Sequence, residues 1–228
     1  MKYLAGFSLC AVTLLAGEAF WDAKPFATWT DPEVKQLMTS SPWAHEVPLD
    51  EATGADWQTA SLNAGRRIGH SANFSNAAPG TTKNASKLKA VVFWESALPG
   101  RQALARLKFG AEAAESREAR SLLEPEEEHY VIVVTGIPDA LVKKDLEKLK
   151  EIAVAKTLLT VKGHTAEKPA KVEVFRDGKT IGMYFEFPRA IGIAPIDKDV
   201  EFATKLDAMD IKTLFHPTEM TVAGKMEL

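Results

Sequence analysis

Two periods organise the apolar residues of this chain. Leu88–Trp94 reads Leu-Lys-Ala-Val-Val-Phe-Trp, a β-type run. His129–Gly136 carries Tyr-Val-Ile-Val-Val, long enough for a central strand, and Lys156–Lys162 predicts a third. Between them the period changes to that of a helix. Leu98-Pro99-Gly100-Arg101 opens one, with Leu104, Leu107, Ala111 and Ala114 recurring along one side. Arg101, Arg106, Lys108, Glu112, Glu115, Arg117 and Glu118 fall on its other side, and Pro125 with Glu126–Glu128 breaks it. Pro138-Asp139 predicts the start of a second helix, with Val142, Leu146, Leu149 and Ala153 inward.

The rest of the chain reads as strand. Ala170–Arg176 and Thr180–Phe187 are joined by Asp177-Gly178, a strong hairpin signal. Val200–Leu206 and Ile211–Phe215 predict a further pair, and Met220–Leu228 closes with alternating Met220, Val222 and Met226. The order β-α-β-α-β followed by a β-meander predicts an α+β domain over residues 88–228. Its expected form is a mostly antiparallel sheet with two covering helices.

The N-terminal third divides differently. Residues 20–47 form an arm crowded with Trp21, Phe26, Trp29 and Trp43. Thr30-Asp31-Pro32-Glu33 fits a capping box with proline in the first turn, and Val34, Leu37 and Met38 follow on one face. Ser40-Ser41-Pro42 ends this short helix. Residues 48–87 are rich in Asn, Gly, Ser, Thr and Ala, show no usable period and read as a long flexible surface loop.

Residues 1–19 carry the pattern of an export signal. Met1-Lys2 is a minimal basic start, Tyr3–Ala16 is an uncharged run of 14 residues, and Gly17 and Ala19 are small residues placed for a cut before Phe20. The run is too short to cross the roughly 30 Å hydrocarbon core comfortably, so no membrane span is expected after cleavage. A retained leader, or acylation at Cys10, are the alternatives; Leu9 before Cys10 and the apolar run beyond it argue against acylation. Cys10 is the single cysteine, so the processed chain would hold no disulfide, no thiol nucleophile and no thiolate metal site. Processing would leave 209 residues, one large domain or one domain with an appended segment.

Composition is that of a globular protein, 46% hydrophobic and 26% charged. The net charge of −3 gives no support for nucleic acid or an anionic membrane as the main partner. An envelope protein or polymer is the expected partner class. The five histidines His45, His70, His129, His164 and His216 show no short metal-ligand spacing, and His45-Glu46 lacks the second histidine of a zinc-protease motif. No metal and no cofactor is implied. Asp177-Gly178-Lys179-Thr180 resembles the tail of a phosphate-binding loop, but it joins two strands and Glu173 stands where the first glycine belongs. There is no G-x-S-x-G elbow, although a triad of distant residues leaves no local mark.

Weaker candidates each have a plain structural reading. Glu124, Glu126, Glu127 and Glu128 offer carboxylates but read as a solvated connection. Arg66-Arg67, with His70 and Phe74 nearby, would suit an anionic polymer or merely keep the loop soluble. Asn73 and Asn84 stand in glycosylation sequons that matter only in a eukaryotic source. The aromatics of the arm would stack on sugar rings or anchor the arm to the core. Glu95 and Arg101 are the positions to test first for binding, because they lie between a strand end and a helix start, where open sheets place ligands. Structural pairing is the competing role for both.

Trp29-Thr30-Asp31-Pro32-Glu33 with Ser41-Pro42-Trp43-Ala44, then Trp94-Glu95-Ser96-Ala97-Leu98-Pro99-Gly100-Arg101, then the closing strands ending Gly224-Lys225-Met226-Glu227-Leu228, resemble a family of exported bacterial proteins of unassigned function. The resemblance implies one exported domain and brings no catalytic residues. Two functions remain: an envelope binding or interaction module, and a hydrolase of unrecognised type with a dispersed site.

Overall fold

The computed structural model describes residues 19–49, 88–124, 128–142 and 145–228. The expected leader with Cys10, the loop residues 50–87 with Arg66, Arg67, His70 and both sequons, and Pro125, Glu126 and Glu127 lie outside the described residues.

The fold is α+β and dominated by antiparallel sheet. Two short helices open it, α1 (Phe20–Ala23) and α2 (Asp31–Thr39). The predicted cap of α2 is present: the Glu33 carboxylate accepts from the Thr30 N–H and hydroxyl, both at 2.8 Å. Lys24 adds an ion pair to Glu33 at 2.6 Å, and these contacts, Lys24 first, hold the Glu33 carboxyl down to about 2. The arm also contains a strand that its sequence did not suggest, β1 (Ala44–Pro48). It pairs with β2 (Lys89–Trp94), with Val47 opposite Ala90. Five residues with two of them charged or ionisable carry little strand signal; the partner strand supplies it.

The next helix differs from the expected one. In place of a single helix running to Pro125, α3 (Leu98–Phe109) stops at Gly110, a 3-10 turn follows, and α4 (Arg117–Leu123) starts at Ser116, whose hydroxyl accepts from the Ala119 N–H. The inward face is also different. Gly100, Ala103 and Ala105 are buried, whereas Leu107 is 58% exposed and Ala111 and Ala114 face outward. The cause is close approach. A Cβ on Gly100 would stand 2.8 Å from the Glu95 carbonyl oxygen and 2.9 Å from that of Trp94. Gly100 marks the tight contact with the strand, whereas Ala105 packs with Ala113 and Ala119.

β3 (His129–Pro138) follows as the long central strand. The second expected helix starts late: Asp139–Leu141 is a 3-10 turn, and α5 (Leu146–Lys156) begins only where the Asp145 carboxylate accepts from the Lys148 N–H at 2.8 Å. Leu149 and Ala153 are its buried residues, as the period predicted. The remaining strands are β4 (Thr157–Val161), β5 (Lys171–Asp177), β6 (Thr180–Pro188), β7 (Val200–Leu206), β8 (Met209–Phe215) and a short closing hairpin, β9 (Thr221–Val222) with β10 (Lys225–Met226).

These strands form a five-stranded sheet ordered β1-β2-β3-β6-β5 and a three-stranded sheet ordered β4-β7-β8, antiparallel throughout. One face of the larger sheet packs on the smaller. Phe185 meets Phe202 edge-on at 5.2 Å, and Trp94 meets Phe215 at 5.1 Å. The tryptophans of the arm belong to the same core: Trp29 is 1% and Trp43 0% exposed, and the Trp43 ring N–H donates to the Glu227 carbonyl at 2.8 Å. Anchoring, and not display to a sugar, is what these rings do here. No helix of the described residues is long and apolar enough to cross a membrane.

Candidate binding site

The outer face of the five-stranded sheet is covered unevenly. α2 and α3 lie over β1 and β2. Over β3, β6 and β5 the register exposes a patterned surface. Lys171 stands opposite Glu186, which stands opposite Val131; Glu173 stands opposite Tyr184, which stands opposite Val133. Phe175 lies over Gly182, where any Cβ would come within 2.2 Å of its ring. The Phe175 and Tyr184 rings sit side by side, 5.1 Å apart. Lys171 pairs with both Glu173 and Glu186, at 2.7 and 3.0 Å.

Glu95 joins this surface from the end of β2. Its N–H donates to the Val131 carbonyl at 2.9 Å, which extends the pairing of β2 with β3 by one residue. The Ser96 hydroxyl, nearly fully buried, accepts from the Val131 N–H at 3.1 Å and locks the turn into α3. Glu95 therefore keeps the alternation of Val91 and Phe93 and lies on the outer face.

Beside it opens a cavity of about 350 Å³. Glu95, Ser96, Val131 and Arg101 line it together with Leu104, Leu122, Ser121 and Glu124. The fold thus brings both sequence candidates, Glu95 and Arg101, to one cavity, but it does not pair them. Among the described residues the Glu95 carboxyl has neither a hydrogen bond nor an ion pair, and burial alone pushes it up to about 7. Arg101 has main-chain partners instead: its Nε donates to the Ser96 carbonyl at 3.1 Å and its Nη1 to that of Leu123. It ties the start of α3 to the end of α4. Burial lowers its pKa first, Arg189 lowers it further, and Glu227 opposes both. The Tyr184 hydroxyl titrates above its ordinary range, through burial and then through the charges of Glu95 and Glu173. Cavity and open sheet face are therefore one electrostatic neighbourhood.

The other candidates are placed elsewhere. The His45 Nδ1 bonds the Thr213 hydroxyl at 2.8 Å while its ring stacks on Phe215. The His216 Nδ1 meets Asp199 at 3.0 Å, and the His164 Nδ1 meets the Ile191 carbonyl at 3.1 Å. His129 opens β3. Asp177-Gly178-Lys179-Thr180 is the β5–β6 turn, so its likeness to a phosphate loop has no structural counterpart. Among the described residues no group of three or more His, Cys, Asp or Glu could hold a metal ion. Of the acidic cluster, Glu124 reaches the cavity. Sequence reasoning missed Phe175 and Tyr184; the hairpin signal at Asp177-Gly178 fixes their register and would have shown them on one face.

Compared with known proteins, the chain matches no family model, no curated protein and no solved structure.

Proposed function

We propose that this chain is an exported bacterial envelope protein that works as a binding module, and that its binding surface is the open half of the larger sheet with the cavity beside Glu95. The carrying observation is that Val131, Phe175, Tyr184, Glu173 and Glu186 share one outer face that no described helix covers, next to a cavity that holds a carboxyl with no partner among the described residues. A fold with an ample core elsewhere has no need to place aromatic rings and an unpaired carboxyl there. The uncharged run Tyr3–Ala16 and the small residues Gly17 and Ala19 support export, and so does the resemblance to exported proteins. The hydrolase reading gains nothing from this cavity, whose lining includes neither His45 nor His216.

Site-specific photocrosslinking in living cells tests the proposal. A photoreactive residue at Phe175 is expected to capture a partner in the envelope fraction. The same group at Leu214, 42% exposed on β8 of the smaller sheet, is expected to capture none. Equal capture at both positions, or the full-length chain recovered from the cytosol, would overturn it.

A further inference from the structure

We propose that the cavity beside Glu95 takes a primary ammonium group carried on an aliphatic chain, with the Glu95 carboxylate as its counter-charge. The inference deepens the reading of this face as a binding surface and rests on it.

Three features of the cavity select this chemistry. The first is the missing partner. Among the described residues nothing donates to the Glu95 carboxyl, and the adjacent N–H groups of Glu95 and Ser96 are already spent on the Val131 carbonyl. A buried carboxylate without donors is costly, and a bound cation that brings its own donors removes that cost. The second is the wall. Leu104, Leu122 and Val131 offer apolar contact to methylene groups, and about 350 Å³ has room for roughly ten heavy atoms at about 30 Å³ each. The third is charge. Glu124 shares the cavity, so two carboxylates line it. Among the described residues the cation of the lining is Arg101, which donates to the carbonyls of Ser96 and Leu123. Two of its N–H groups are spent there, and an anion would also meet the carboxylates of Glu95 and Glu124, which an ammonium meets as acceptors.

Arg101 and Glu124 line the same cavity from the helical side, and on the sheet the charges of Glu95 and Glu173 both act on Tyr184. Burial keeps Glu95 protonated up to about 7, so a cation competes with a proton for it. Binding therefore strengthens as pH rises through that value. An alkylamine stays charged throughout, with its own pKa near about 10.4.

The probe is pentylamine, followed by the amide signals of Glu95, Ser96 and Val131 in the full chain by NMR. Pentanol and pentanoate serve as neutral and anionic controls. The expected result is saturable shifts with pentylamine alone, weakening at least about tenfold between pH 8.5 and pH 5.5. Glu95→Gln is expected to abolish the pH dependence and most of the binding, while a thermal melt at pH 8 shows it still folded. Pentanoate binding as well as pentylamine, or amine binding unchanged in Glu95→Gln, would overturn the proposal. So would no binding by any probe. If Phe175 still captures an envelope partner in that last case, the binding surface stands and only the ligand class falls.

Discussion

On the inner face of the larger sheet, Ile132, Val134, Ile181, Met183, Phe185 and Phe187 are completely closed off from solvent. One residue along the same strands, Val131, Tyr184 and Glu186 stay partly exposed, and on β5 Glu173 is exposed outright. The backbone, register and hydrogen bonds are shared; only the alternation of side chains differs. The inner face is sealed by Phe202, Phe215 and the smaller sheet, so it holds the fold. Among the described residues, helices cover the outer face only over β1 and β2. Among the described residues its other half keeps rings, charges and a cavity, the features on which the proposed binding surface rests.

This contrast breaks most visibly on matched aromatic truncations. Phe185→Ala removes a ring packed on Phe202 and is expected to cost about 3–5 kcal/mol in urea unfolding. Phe175→Ala, on the open face, is expected to cost no more than about 1 kcal/mol while it removes the stacking partner of Tyr184. Comparable losses would erase the distinction between the faces.

The covered half of the outer face is sharpened by Gly100→Val. Its Cβ would strike the carbonyls of Glu95 and Trp94, so α3 must lift from β2. The expected loss is about 1–3 kcal/mol by thermal or urea unfolding.

Glu95→Gln probes the cavity, and its sign is opposite. The Glu95 carboxyl is raised from 4.5 to about 7 on folding, so it subtracts stability progressively as pH climbs through that interval. After allowance for its partial exposure, the amide is expected to be more stable by about 1–2 kcal/mol at pH 8. The advantage should vanish near pH 4.5, which paired melts at the two pH values would show.

The smallest effect is local. Ser116→Ala removes the hydroxyl that caps α4 and is expected to cost about 0.5–1 kcal/mol, with the binding surface unaltered.

Much of this architecture was legible from residue order. The strands over 88–94, 129–136, 170–176 and 180–187 show in runs of β-branched and aromatic residues, because central strands are apolar on both faces or alternate cleanly. What escaped was set by distant partners. β1 is a strand because β2 lies beside it, some forty positions later in the chain. The buried positions of α3 include Gly100, Ala103 and Ala105, on more than one side of the helix, which periodicity of large apolar residues passes over in favour of Leu107. Glu95 and Arg101 were legible as a pair of positions at a strand end. That they share a cavity without bonding each other depends on the Ser96–Val131 lock and on the end of α4, both fixed by tertiary packing.

The account turns on a carboxyl held in a cavity and, among the described residues, bonded to no donor. The direct measurement is the titration of the Glu95 side-chain carbon by NMR in the free, full-length protein. The predicted result is half-protonation at about pH 7. Half-protonation at the ordinary 4.5 would mean that water or a neighbouring cation already serves Glu95, and the cavity would have no charge to offer a partner.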